Sequence, residues 1–294
     1  MRLHLVLAVL LFTAAPLAHA QLAPLEPAHG ALLGLFYGDG AIPATDKLIG
    51  HRPQIHLMYN SLNENWIPGV RQDLAEGRIP LISWEPDNVD FHDIVSGKLD
   101  GILITRARAA AKLSKPFFLD FAAEMNGDDA WSKNNAELYI AAYRHIHDLF
   151  IANGATNVVW AWCPDLTDVE GGNARTMSYY PGDAYVDWTG IDGYNWKHYN
   201  GRWLSFQQLF ARVYPLLAAR HKPILIGEMA SAEIGGDKAA FINGIVPTLR
   251  DKFPLIKALV WFDINKETDW RINSSPATLA AFQRLAADPY FNLQ

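Results

Sequence analysis

The stretch FFLDFAAEMNGDDAW, residues 117–131, is an apolar run that stops on a carboxylate. Phe117, Phe118, Leu119, Phe121, Ala122 and Ala123 suit a strand packed on both sides, with Glu124 and Asn126 following at its loop end. A second run, PILIGEMAS at 223–231, delivers Glu228 in the same manner. Two carboxylates beside one sugar linkage can cleave it. One protonates the departing oxygen while the other attacks the anomeric carbon or activates water. A lone glutamate at a strand end is better explained as a helix cap or an arginine's partner; the pairing of positions is what favours chemistry. Other strand ends add Glu85 in SWEP, Asp192 in GIDGYNW and Asp263 in WFDIN. Glu85 stands open between a substrate-contacting carboxylate and a structural ion pair, whereas Asp192 and Asp263 are expected to anchor loops or orient neighbours. Ten tryptophans and eleven tyrosines supply ring faces for a sugar groove. Trp84, Trp131 and Trp196 are expected to be platforms because loops rather than strand interiors hold them. Trp162 and Trp203 are open between platform and packing, and Trp160 reads as core.

Such groups need a rigid frame. Short, mostly continuous apolar runs at 32–38, 55–59, 79–84, 117–123, 158–162, 186–192, 224–227 and 256–262 read as parallel strands buried on both faces. Helical stretches separate most of them. In 134–153, Leu138, Ala142, His145, Ile146, Leu149 and Phe150 share a stripe that Asn153-Gly154 stops. In 205–220, Ser205 caps and Pro215 is expected to kink. The stretches 99–113, 237–250 and 276–287 behave alike, and only a short helix fits around 43–50. Eight strand–helix units predict an α/β fold, a (β/α)8 TIM barrel, in which residues past the strand ends face one mouth. The alternative is an open doubly wound sheet, but neither G-x-G-x-x-G nor a P-loop lysine is present, and no cofactor is expected.

At the start, Arg2, the apolar Leu5 to Phe12 and Ala18-His19-Ala20 have the pattern of a secretory leader over 1–20, leaving one domain over 21–294. The expected location is secreted or periplasmic. After removal of the leader, no apolar segment long enough for a membrane span follows. A net charge of −6 without a basic block argues against nucleic acid as a partner, and a monomer is expected. Cys163 is the lone cysteine, so no intrachain disulfide can form, and its apolar setting in VVWAWCP predicts a buried, inert thiol. The H-x-H of His145 and His147 falls inside a predicted helix, where positions two apart face different ways, so no metal site is expected. There is no G-x-S-x-G elbow for a serine nucleophile.

The stretches EMNG (124–127), GATNVVWAWCPD (154–165), YYPGDAYVDWTGIDGYNW (179–196), PILIGEMAS (223–231) and WFDINKETDWRI (261–272) together resemble glycoside hydrolase family 26. GIDGYNW followed by GE is the specific signal; EMNG alone is weak. The resemblance implies a retaining endo-β-glycanase on a polysaccharide such as β-1,4-mannan or β-1,3-1,4-glucan. It implies Glu124 as acid/base after the fourth strand, Glu228 as nucleophile after the seventh, Tyr194 hydrogen-bonded to the nucleophile, and Trp261 as a platform at the cleavage point. Many members carry His before the acid/base and Arg-Pro just upstream; here Ala123 and Asp120-Phe121 stand there. A barrel that binds polysaccharide without cleaving it is the alternative function.

Overall fold

The computed structural model describes residues 22–38, 40–127, 131, 135–166 and 173–292, so the leader-like segment lies outside the described residues. Eight parallel strands close into a barrel in chain order, with β1 pairing to both β2 and β8. They are β1 (Leu32–Phe36), β2 (Ile55–Ser61), β3 (Ile79–Glu85), β4 (Phe117–Phe121), β5 (Val158–Trp162), β6 (Trp188–Asn195), β7 (Ile224–Ser231) and β8 (Ile256–Phe262). The outer layer contains α1 (Ile42–Ile49), α2 (Ile67–Glu76), α3 (Phe91–Val95), α4 (Asp100–Ala110), α5 (Ala136–Ala152) and α6 (Asn173–Ser178). It continues with α7 (Lys197–Asn200), α8 (Phe206–Phe210), α9 (Tyr214–Ala218), α10 (Lys238–Asn243), α11 (Ile245–Asp251) and α12 (Pro276–Ala287). The expected (β/α)8 barrel is therefore the fold.

Two of the expected helices are each two helices. The stretch 205–220 is broken rather than kinked, because Pro215 opens α9 instead of sitting inside a longer helix. In 237–250, α10 ends at Gly244 and α11 begins directly after it. Among the described residues, no helix is long and apolar enough to cross a membrane.

Alternation along the strands sorts the side chains into two cores. Leu57, Leu81, Phe118, Val159, Ala161 and Val260 belong to an inner cluster that fills the barrel. Their neighbours Ile82, Trp84, Leu119, Trp160, Trp162 and Trp261 belong to an outer one, against the helices. The base of the barrel is closed by the chain entering β1. Ala23 and Leu25 pack on the inner cluster, and the Trp188 indole donates to the Pro24 carbonyl at 2.8 Å.

Candidate active site

At the opposite end, the strand termini surround a cleft of about 520 Å³ whose walls include Glu85, Glu124, Tyr194, Trp196, Glu228 and Trp270. Glu124 lies three residues past β4, on backbone that turns sharply. Ala122 and Glu124 both have left-handed φ, +54° and +57°. Each costs about 1–3 kcal/mol for a side chain with a Cβ, so the turn persists only where its surroundings fix it. They do. The Ala122 amide donates to Trp84 O at 3.1 Å and the Glu124 amide to Cys163 O at 2.9 Å. The Trp131 indole donates to Ala123 O at 3.0 Å.

Glu228 reaches the cleft by a different device. In β7, Leu225 faces the barrel interior and Ile226 the helices, so strict alternation would send Glu228 outward. The register prevents this. Ile191 pairs with Ile226, but Asp192 pairs with Glu228, leaving Gly227 as an extra residue in β7. A bulge of this kind re-aims the side chain after it, and here it turns Glu228 into the cleft. Only a glycine fits the bulge. A Cβ on Gly227 would lie 2.7 Å from Asp192 Oδ1 and 2.9 Å from Cys163 Sγ.

The two glutamates sit in different electrostatic surroundings. The Tyr194 hydroxyl donates to Glu228 Oε2 at 2.7 Å. The Tyr59 hydroxyl, from β2, faces the same carboxyl without forming a bond of good geometry. Burial raises the Glu228 pKa, and these two hydroxyls together with the Lys266 ammonium work against that rise. Glu124 is pushed well above the carboxylate range by burial first, then by the charges of Glu228 and Asp165. Burial raises both carboxyls, but two hydroxyls and an ammonium oppose the rise at Glu228 while two carboxylates add to it at Glu124, so the pair favours the proton on Glu124. Glu85 is a third carboxyl in the cleft, pushed up to about 7 by burial and by Glu228 and Asp87.

The other expected site residues divide. Trp196 lines the cleft, with its ring 5.8 Å from that of Trp270. Trp84 and Trp261 do not, and both platform expectations are corrected: each ring is wholly buried against helices. Parity explains it, since Ser83 and Glu85 take the inner positions around Trp84, as Val260 and Phe262 do around Trp261. Asn126 is also buried away from the cleft. Its amide ties the turn after β4 to the turn after β5, accepting from the Asp165 amide at 2.7 Å and donating to Asp165 O at 3.0 Å. Trp131 is half-buried, and its indole N–H is committed to the turn that carries Glu124. Asp263 anchors a loop as expected, accepting from the Ile272 amide at 2.8 Å. Sequence reading missed Tyr59, Lys266 and Trp270. Tyr59 closes the second apolar run and could have been found from that position. Lys266 and Trp270 lie in the long loop after β8, where no period indicates direction.

Below the cleft floor, Asp120, Cys163 and Asp192 bring one oxygen, one sulfur and one oxygen within 4.8 Å of one another. The Cys163 thiol donates to Asp120, whose pKa is pushed up to about 7 by burial, while Asp192 is pushed well above its usual range by burial and by Glu228. These are buried acids with raised pKa values filling a tight layer. A Cβ on Gly190 would come within 2.3 Å of Cys163 Sγ. Burial raises the thiol pKa as well, which matches an inert Cys163.

A parallel barrel with paired carboxylates and aromatic walls at the C-terminal mouth is the architecture of a glycoside hydrolase. Residues 52–283 match the model of glycosyl hydrolase family 26, and the chain belongs to that family. It is 42% identical over 267 residues to Endoglucanase H of Acetivibrio thermocellus, covering 86% of this chain and 30% of that protein. It is 29% identical over 177 residues to a mannan endo-1,4-beta-mannosidase of Bacillus subtilis, covering 55% of this chain and 41% of that one. The chain thus spans less than half the length of these relatives. Among solved structures, the catalytic domain of a family 26 endo-beta-1,4-mannanase from Bacillus sp. JAMB-750 superposes with a TM-score of 0.69 at 18% identity, over 89% of this chain and 86% of that one. A beta-mannanase from Bacteroides ovatus gives 0.64 at 17%, over 90% of each. The enzyme class follows from the family, and the two structures support the fold.

Proposed function

We propose that the protein is a retaining endo-β-glucanase that cleaves a mixed-linkage β-1,3-1,4-glucan. The observation that carries the retaining mechanism is the Tyr194–Glu228 hydrogen bond beside a Glu124 held protonated by burial and by the charge of Glu228. Glu228 attacks the anomeric carbon as the glycosidic C–O bond breaks, and the Glu124 proton passes to the departing oxygen. A glycosyl ester of Glu228 results. Neutralising Glu228 in that ester removes the charge that raised the Glu124 pKa, so Glu124, now ionised, is ready to take a proton from water. The water oxygen bonds the anomeric carbon, the ester breaks, and both carboxyls return to their starting states. Glu85 and Trp196 contact the sugars on either side, with the Trp270 ring packed behind Trp196.

Glucan is favoured over β-1,4-mannan by the 42% identity to Endoglucanase H, against 29% to the mannosidase, and by Ala123 in the place of the histidine of many members. A panel of soluble polysaccharides, scored for released reducing ends with the first-formed anomer read by NMR, tests the reading. Mixed-linkage glucan should give the highest rate and a β-anomer. Faster turnover of mannan would overturn the substrate, and an α-anomer would overturn retention. Export through residues 1–20, a single domain over 21–294 and a monomeric state belong to the same proposal. A secreted product beginning near Gln21 is its check.

A further inference from the structure

The loop after β8, residues 263–275, brings Trp270 to the cleft, where its ring lies 5.1 Å from Tyr194 and 5.8 Å from Trp196. Three consecutive backbone carbonyls of that loop face away from the cleft, each with a buried donor. Lys238 Nζ donates to Asp269 O at 2.9 Å and to Arg271 O at 2.8 Å. The Trp261 indole donates to Trp270 O at 2.8 Å. The third Lys238 bond goes to Ser274 Oγ at 3.0 Å, and that hydroxyl in turn donates to Glu233 at 2.8 Å. Lys238 is 0% exposed and its ammonium stands 5.7 Å from the Trp261 ring centroid.

We infer that Lys238 is a positioning residue of the active site: its ammonium grips the peptide units on both sides of Trp270 and so fixes the buried ring that backs Tyr194 and Trp196 at the cleft wall. The inference rests on the proposed reaction only for what the wall binds. Stability alone accounts poorly for this lysine. Burying an ammonium carries a desolvation cost of several kcal/mol, about as much as an ion pair returns, and an apolar side chain fills such space more cheaply. Here the three direct acceptors are neutral: two carbonyls and a hydroxyl. Lys238 is also the first residue of α10, where a positive charge opposes the helix dipole. What an ammonium supplies that methionine cannot is three donors diverging from one point. All three converge on residues 269–274. The ring so held packs on Tyr194, whose hydroxyl bonds Glu228, so the grip extends from α10 to the reacting carboxyl.

Lys238→Met tests this. Asp269 is half-buried and Arg271 exposed, so a released loop can offer its carbonyls to water by moving outward, and the barrel need not unfold. Expected in the variant are faster hydrogen exchange at the Trp270 and Ile272 amides, and a KM for the preferred polysaccharide raised about threefold to tenfold with kcat changed less than KM. Wild-type exchange in the loop would overturn the inference, as would faster exchange with an unchanged KM. If Lys238→Met does not fold, Ser274→Ala removes one acceptor and should show the same two changes in smaller measure; wild-type values for both would overturn the inference. Exchange is read without substrate, so failure of the grip and failure of the glucanase proposal are distinguishable.

Discussion

At the scale of single residues, the division of labour proposed for Glu124 and Glu228 has a stereochemical readout. In Glu228→Ala no glycosyl ester can form, and azide can occupy the vacated space to attack an activated β-glycoside directly, giving the α-glycosyl azide. In Glu124→Ala the nucleophile survives and an aryl leaving group needs little protonation, so the ester should accumulate for want of a base. Azide needs no base and should release the β-glycosyl azide after two inversions. Each variant should lose about 10²-fold or more on unactivated polysaccharide. Identical anomers from both would refute the assignment. That both glutamates come to the cleft was legible in the sequence because each ends an apolar run that must be a buried strand. Trp261 could be misplaced for a related reason: it closes such a run too, and its direction depends on parity within the barrel, which the alternation Ala258, Val260, Phe262 records once the interior is known.

At the scale of the element, the bulge in β7 decides which way Glu228 points. Gly227→Ala should damage the enzyme twice over. Its Cβ would press on Asp192 and Cys163, and overpacking of this order costs about 1–3 kcal/mol. Relief of the clash by slipping Gly227 back into register would also turn Glu228 toward the helices. A lowered melting temperature together with a kcat loss larger than the residual folded fraction explains is the expected result. A variant with wild-type kcat would show that the bulge does not aim Glu228. The eight strands were legible because buried parallel strands read as continuous apolar runs. The bulge was not, since one extra residue leaves no trace in such a run. The two split helices were half legible: Pro215 was expected to kink the first and instead breaks it, while nothing in 237–250 announced the break at Gly244.

At the scale of the whole molecule, the concentration of buried acids makes stability depend on pH in an uncommon direction. Burial pushes Glu85 and Asp120 up to about 7 and Asp263 to about 6, and raises Glu124 and Asp192 well above the usual carboxylate range. A carboxyl with a raised folded pKa binds its proton more tightly in the native state. Its contribution is therefore fully present below the unfolded value, about 4, and is lost as pH rises through the folded value. The melting temperature should fall between about pH 4 and pH 7, the window bounded by the unfolded and folded values of these groups. Glu85→Gln, which cannot ionise, should flatten part of that slope. A melting temperature that climbs steadily across the window would contradict the protonation states assigned to the cleft and its floor.

The chain's entry into the barrel has a consequence for how the enzyme can be attached to other things. Pro24 meets Trp188 at the start of β6, and the Ala31 amide donates to Tyr290 O at 3.0 Å, so both ends of the described chain meet at the base, opposite the mouth. A tether, bead or fused module joined at either end would point the cleft outward, toward an insoluble fibre or a neighbouring surface. Immobilisation through the base should therefore leave access for a long polymer much as it is in free solution.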